Sequence, residues 1–416
     1  MKTNRRQFIG GALGATALSG LASPMLGQNA PIRIGCITTL SGGYSLFGEA
    51  QALGMQMAID EINANGGVGG SQLELVVRND DIKPDVALAA ARELQGEGVH
   101  IYAGVLASGV ALALSGVMEE LDSVFLNAAS HGNNLTHEDF NKNYFRVTDY
   151  SAMRIWAAAN LMADRYPDNT KWGAILPDAE IGRSTLEVFS ARLPQEHQTL
   201  NGHGATIDEP VWTKFGSTDF RAPIARLMSQ DIDGLFVGLG GADEVTFLQQ
   251  AGQLGLTNKV GAIITSGSEF LTPIALKQRT PPNYWSGFHW YYGAYYGENP
   301  VATKVVDTYR AAGHGQHPDG FVGMGHTAIQ AIAAGLEISG STMAGDLVPA
   351  LEGVTFETVK GPVELRAEDH QALCDVNYAL IAGAENEDGW EVLEAAKVDG
   401  RPLAGEPSPG EEMSFG

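Results

Sequence analysis

Two hydrophobic rhythms alternate along this chain. Ile32–Leu40 is a continuous apolar, β-branched run, as expected of a strand covered on both faces. After it, Ala50, Leu53/Gly54, Met57/Ala58 and Ile62 recur at three-to-four spacing, which predicts a helix over Gly48–Asn65, stopped by Gly66-Gly67 and Gly69-Gly70. The pattern continues as strand Leu73–Arg78, helix Val86–Gln95, strand Ile101–Leu106, helix Val110–Leu121 and strand Ser123–Asn127. It restarts after Tyr150, with helices predicted over Met153–Arg165, Gly182–Leu193, Phe220–Ser229 and Glu244–Leu254. Between them fall strands over Trp172–Leu176, Gly234–Gly238 and Val260–Thr265. Such alternation predicts parallel sheets with helices on both faces. Right-handed crossovers then restrict the fold class to α/β with doubly wound, Rossmann-like lobes. A length of 416 residues suits two of them.

Open sheets of this type bind ligands beyond the carboxyl ends of their strands. The loops at those ends are Ser41–Phe47, Ala107–Gly109, Ala128–Gly132, Asp178–Gly182, Gly240–Asp243 and Ser266–Phe270, and Ser, Gly and Ala dominate them. Small residues let helix N-terminal amides approach a ligand, and those amides favour anions. Ser108 and Ser130 follow strands directly, so each reads equally as a ligand contact or a plain helix cap. The run YWSGFHWYYGAYY, Tyr284–Tyr296, places eight aromatic residues in thirteen positions. Alternate residues of a strand face opposite ways, so they cannot all enter one core. An aromatic wall for a ligand, including Trp290, and packing at a junction between lobes both fit.

Charge narrows the partners. Lys and Arg total 26 against 49 acidic residues, a net charge of −23, which argues against nucleic acid and anionic membrane surfaces. The first 28 residues read as a signal peptide: basic to Arg6, then the apolar FIGGALGATALSGLA, then a cleavage-like region. Arg5-Arg6-Gln7-Phe8-Ile9 is similar to a twin-arginine export signal, with a Sec signal as the alternative. No cysteine lies there to carry a lipid, so the expected mature protein is soluble, exported and periplasmic. Cys36 and Cys374 read as two buried free thiols or as one disulfide. G-x-S-x-G, P-loop, H-E-x-x-H and C-x-x-C motifs are absent, and Gly238–Asp243 lacks dinucleotide-fingerprint spacing. No catalytic residue, cofactor or metal is expected. His314/His317 reads as a loop pair and Asp80-Asp81 as a solvated turn.

The block TLSGGYSLFGEAQALGMQMAIDEINANGGVGG, with RNDDIKPDVALAAARELQGEGV, FRVTDYSAMRIWAAANLM, FLQQAGQLGL and GPVELRAEDHQALCDVNYALI, resembles the type I periplasmic binding proteins of the Leu/Ile/Val-binding family. The resemblance spans about Ile32 to Gly389. It implies two lobes joined by three crossover strands, near Thr148–Ser151, His289–Gly293 and Pro349–Glu357. The first lobe would hold 29–149 plus 293–348, the second 150–292 plus 349–399, with a frayed tail over 400–416. It implies that Ser108 and Ser130 hold a ligand carboxylate, that Ala128 offers its carbonyl, and that Phe47 packs over the ligand; Tyr44 beside it is expected to help hold the ligand body. Ile181 and Gly241 fall where the family often has aromatics. The loop through Ser268 falls where amino-acid binders place an acidic partner for the ammonium, with Glu269 one or two positions off.

The resulting expectation is a non-enzymatic solute-binding protein, a monomer, that hands a small carboxylate or amide to an ABC permease and ATPase complex. The ligand would be an aromatic acid, an amide- or urea-like molecule, or a branched-chain amino acid. The alternatives are a ligand sensor of the same fold and a twin-arginine-exported α/β oxidoreductase.

Overall fold

The computed structural model describes residues 30–413; the predicted signal peptide lies outside them. Five parallel strands form the first sheet: β1 (Ile32–Thr38), β2 (Leu73–Asn79), β3 (Ile101–Gly104), β4 (Val124–Asn127) and β5 (Tyr144–Arg146). Their order is β2-β1-β3-β4-β5, so the winding reverses between β1 and β3 and opens a crevice at the carboxyl ends of these two strands. All four residues of β3 and of β4 are buried, which is why these segments read as unbroken apolar runs.

The second sheet repeats the plan with β6 (Lys171–Pro177), β7 (Thr206–Ile207), β8 (Val211–Thr213), β9 (Gly234–Val237), β10 (Ala262–Thr265) and β11 (Tyr284–Phe288). Strands β12 (Thr355–Thr358), β13 (Gly361–Leu365) and β14 (Ala372–Leu373) make a small antiparallel sheet of their own. β15 (Val376–Gly383) then joins the second sheet antiparallel to β11, and β16 (Trp390–Val398) closes that edge. The order is β16-β15-β11-β10-β9-β6-β7, with β8 also pairing β6. The protein is α/β with two doubly wound lobes, as the periodicity predicts.

The chain passes between the sheets after β5, after β11 and again before β15. The segment around Pro349–Glu357, expected as the third crossing, is instead the end of helix Ala344–Leu351 and part of β12, both packed on helix Gly320–Ser339. The third passage runs through the small sheet, where Gln371 bridges to Arg146 of β5. Arg146 donates to Gln371 Oε1 at 2.7 Å and to the Gly132 carbonyl at 2.6 Å, tying two passages together. Beside them Asp149 accepts from Arg154 at 2.8 and 3.2 Å, fully buried. Burial opposes ionisation of Asp149, but Arg154, with Lys360, outweighs it and holds the carboxyl well below its ordinary range.

The 400–413 segment is not frayed. Ala404 is buried and its carbonyl accepts from Tyr150 Oη at 2.9 Å, while Gly410 N donates to the His137 carbonyl at 2.7 Å. The tail therefore lies across both lobes. Asp80, read as part of a solvated turn, is buried and accepts from Thr39 Oγ1 at 2.8 Å, which fixes the end of β1 against the end of β2. Cys36 and Cys374 are both free and buried, and burial pushes the Cys36 thiol up to about 12. Among the described residues, no helix is long and apolar enough to cross a membrane.

Candidate functional site

The carboxyl-end loops of the two sheets face each other across a cavity of about 540 Å³. The first lobe contributes Ser108, His131 and Asn133 to its wall, the second Ile181 and Ser184, and the tail Glu412. Ser108 begins helix Ser108–Ser115, whose first amides have no carbonyl partners within the helix. Its hydroxyl accepts from Ser130 Oγ at 3.3 Å. Ser130 is held by its own backbone: its N–H donates to Asn127 Oδ1 at 2.8 Å, and Asn127 Nδ2 returns a bond to the Ser130 carbonyl at 2.8 Å. The Ser108 hydroxyl and a helix N-terminus thus face one side of the cleft, donors suited to a carboxylate or an amide oxygen, with Ser130 bracing Ser108 from behind.

An aromatic column runs inward from the mouth. Phe47 stacks on Phe321 at 4.9 Å, Phe321 lies 4.3 Å from His289, and His289 stacks on His131 at 4.4 Å with planes 13° apart. Tyr44 is half exposed, and its hydroxyl lies 3.9 Å from where a Cβ on Gly241 would stand, so the two meet across the mouth. Gly48 lets helix Ser45–Ala64 seat on the end of β1: a Cβ there would fall 1.9 Å from the Thr39 carbonyl oxygen. Burial, then the charge of Arg154, pushes the His131 imidazole well below its usual pKa, so the ring facing the cavity is neutral at physiological pH.

The other expected site residues divide. Ser108 and Ile181 line the cavity, the latter 48% exposed, and Ser130 reaches it through Ser108. Ala128 is fully buried behind β4, its N–H bonded to the Gly104 carbonyl. Ser268 is not free to donate to a ligand. Its hydroxyl accepts from Gly241 N at 3.0 Å and donates to Glu244 Oε2 at 2.8 Å. Trp290 is not a ligand wall: it is wholly buried, packed on Gly323, with Nε1 donating to the Val359 carbonyl at 3.1 Å. Tyr284, Trp285 and Phe288 are buried as well, Tyr284 bonded to Glu244 and Trp285 to Tyr166, so this part of the run is core of the second lobe. The physical reason is the register of β11 and its exit, which turns these rings inward and leaves His289 beside the cleft.

Sequence reasoning passed over His131, His289 and Phe321. The signal for His289 was present, a lone basic residue inside an aromatic run. Among the described residues, no group of three or more His, Cys, Asp or Glu is placed to hold a metal ion.

A sequence profile described as "Periplasmic binding protein" matches residues 31–385. The chain belongs to that family. A curated relative from Pseudomonas aeruginosa, the leucine-, isoleucine-, valine-, threonine- and alanine-binding protein, is 26% identical over 348 residues, 83% of this chain and 88% of the relative. Two solved structures share the fold. One is a branched-chain amino acid transporter substrate-binding protein from Streptococcus pneumoniae in complex with isoleucine (TM-score 0.74, 20% identity, 88% and 99% of the two chains covered). The other is an ABC transporter solute-binding protein from Rhodopseudomonas palustris in complex with benzoate (TM-score 0.73, 18% identity, 92% and 100% covered). In a periplasmic binding protein, the cavity built here from both lobes is the natural place for a ligand.

Proposed function

We propose that this periplasmic binding protein captures a small carboxylate or amide with an apolar or planar body between its lobes and delivers it to an ABC importer. It acts by closure and makes or breaks no covalent bond. The observation that carries the reading is the Ser108 hydroxyl at a helix N-terminus in the wall of a cavity lined by both lobes, with Ser130 3.3 Å behind it. Ser108, Ser130 and the first amides of helix Ser108–Ser115 receive the polar group, while Phe47, Phe321 and Ile181 supply apolar surface. Ligand shifts the lobes toward the closed form only in so far as it binds that form better. The twin-arginine-like leader supports export to the periplasm, where the protein acts as a monomer.

A thermal-shift screen of protein freed of carried-over ligand, across aliphatic acids, aromatic acids, short amides and amino acids, tests the reading. A ligand at 100 times its Kd adds about 2.7 kcal/mol, a shift of several degrees. No shift with any of these classes overturns it.

A further inference from the structure

Beside the cleft lies a buried carboxylate that already has a hydrogen-bonding partner from the protein. Glu269 is 2% exposed and sits at φ 52°, a left-handed conformation that a glutamate adopts only when its surroundings demand it. Its Oε1 accepts from His289 N at 2.7 Å and meets His289 Nδ1 at 2.6 Å. The other ring nitrogen of His289, Nε2, lies 3.1 Å from the Ala129 carbonyl of the first lobe. Both ring nitrogens therefore face oxygens of the protein, one from each lobe, and the ring fills the space between them. Its two faces are covered by His131 and Phe321, so the ring is fixed on every side.

The second carboxylate oxygen of Glu269 has no hydrogen-bond partner and is packed against Gly320, where a Cβ would fall 2.4 Å from it. Any other residue at 320 would expel the carboxylate. A neighbouring carboxyl, Asp319, caps helix Gly320–Ser339 by accepting from Phe321 N at 3.0 Å. One oxygen of Glu269 is thus taken by His289 and the other is sealed against Gly320, so this carboxylate presents neither to a ligand ammonium.

We infer that His289 is the specificity-determining residue of this site: its ring occupies the place between Glu269 and the Ala129 carbonyl, so the cleft takes carboxylic acids that lack an α-ammonium group. The inference rests on the binding function proposed above and sharpens its substrate class. Glu269 and Ala129 offer the acceptors an ammonium would use, and the protein fills that place itself. The aromatic column then meets the body of the acid, while Ser108 and Ser130 meet its carboxylate.

The test is a matched pair of probes that differ only in the ammonium: isoleucine and 3-methylpentanoate, with benzoate as a planar acid, measured by calorimetry on protein unfolded and refolded to remove carried-over ligand. Wild-type protein is expected to bind 3-methylpentanoate at least a hundredfold more tightly than isoleucine. His289→Ala is expected to shift that ratio at least tenfold toward isoleucine by freeing Glu269, and Glu269→Gln added to it reverses the gain. His289→Gln, which keeps a polar group in the slot, reads the same ratio if the alanine variant fails to fold. Tighter binding of isoleucine by the wild type, or an unchanged ratio in the His289 variants, overturns the assignment and leaves the binding function standing. Binding of neither acids nor isoleucine overturns both.

Discussion

The two lobes are wound alike and finished differently. In each, the first strand lies second from one edge, the next strand sits outside it, and the later ones continue inward, so each sheet opens a crevice at equivalent strand ends. At those ends the first lobe leaves Ser108 facing the cavity with Ser130 behind it. The second lobe ties its polar groups to one another. Glu244, wholly buried, receives hydroxyls from Ser268, Thr272 and Tyr284 at 2.7–2.8 Å, and Glu269 receives His289. Burial pushes the Glu244 carboxyl up, and the three hydroxyls act against that rise. A buried polar group must be satisfied within the protein or by the ligand. The first lobe leaves Ser108 to the ligand, whereas the second ties Glu244 and one oxygen of Glu269 into the protein and contributes shape.

This contrast makes opposite predictions for serines in corresponding loops. Replacing Ser108 and Ser130 together by Ala removes both members of a hydrogen-bonded pair, which leaves stability nearly unchanged. Ligand affinity should fall by about a hundredfold, roughly 2.8 kcal/mol, in a calorimetric titration with the best acid from the screen. Ser268→Ala should do the reverse. It strands Gly241 N–H and one oxygen of Glu244, at about 1–3 kcal/mol, seen as a melting point several degrees lower with affinity within threefold of wild type. If Ser268→Ala loses affinity and keeps its melting point, the second lobe is a binding surface and the contrast fails.

How much of this was legible in the sequence depends on the range of the interactions. The strands and helices of both lobes were readable because burial on one or two faces imposes a local period, as in β1 and helix Ser45–Ala64. Ser108 and Ser130 were readable because the carboxyl end of a parallel strand fixes where the next loop must lie. Trp290 was misplaced because its direction depends on where the chain leaves β11, and its partner Val359 is 69 residues away. The Glu269–His289 pair joins residues 20 apart through a loop whose backbone is left-handed at Glu269, and no periodic pattern announces such a conformation. The tail looked unstructured because its contacts, Tyr150 and His137, lie more than 250 residues earlier.

The lobes also meet through a pair of carboxyls, Glu269 from the second and Asp319 from the helix that packs on the first. Burial, then the charge of Glu269, pushes Asp319 up to about 8. The folded protein therefore keeps a proton that the unfolded chain has released above its ordinary aspartate value. Stability should fall as pH rises from about 4 toward 8 and level off above that. Asn is an equally good helix cap, so Asp319→Asn should remove this component of the slope and melt a few degrees higher than wild type at pH 8, with little difference near pH 4. Equal melting curves at both pH values would show that the carboxyl is ionised in the folded protein.

The smallest effect belongs to the rim, where the lobes differ least. Glu138 of the first lobe, Glu187 of the second and Glu412 of the tail all border the cavity and are exposed, and no Lys or Arg is among its lining residues. A carboxylate ligand approaches this negative rim against its field, while the donors that hold it lie further in. Exposed charges act mainly on encounter and are screened by salt, over about 10 Å at 0.1 M. Association of an anionic ligand should therefore speed up as salt is raised, the opposite of an attractive site. Glu412→Gln should raise the association rate two- to threefold at low ionic strength and change it little at 0.5 M, with dissociation unaffected, in stopped-flow measurements of intrinsic tryptophan fluorescence. Association that slows with added salt would mean that the entering ligand carries positive charge, and the hydroxyl side of the first lobe would then have to be read as holding something other than a carboxylate.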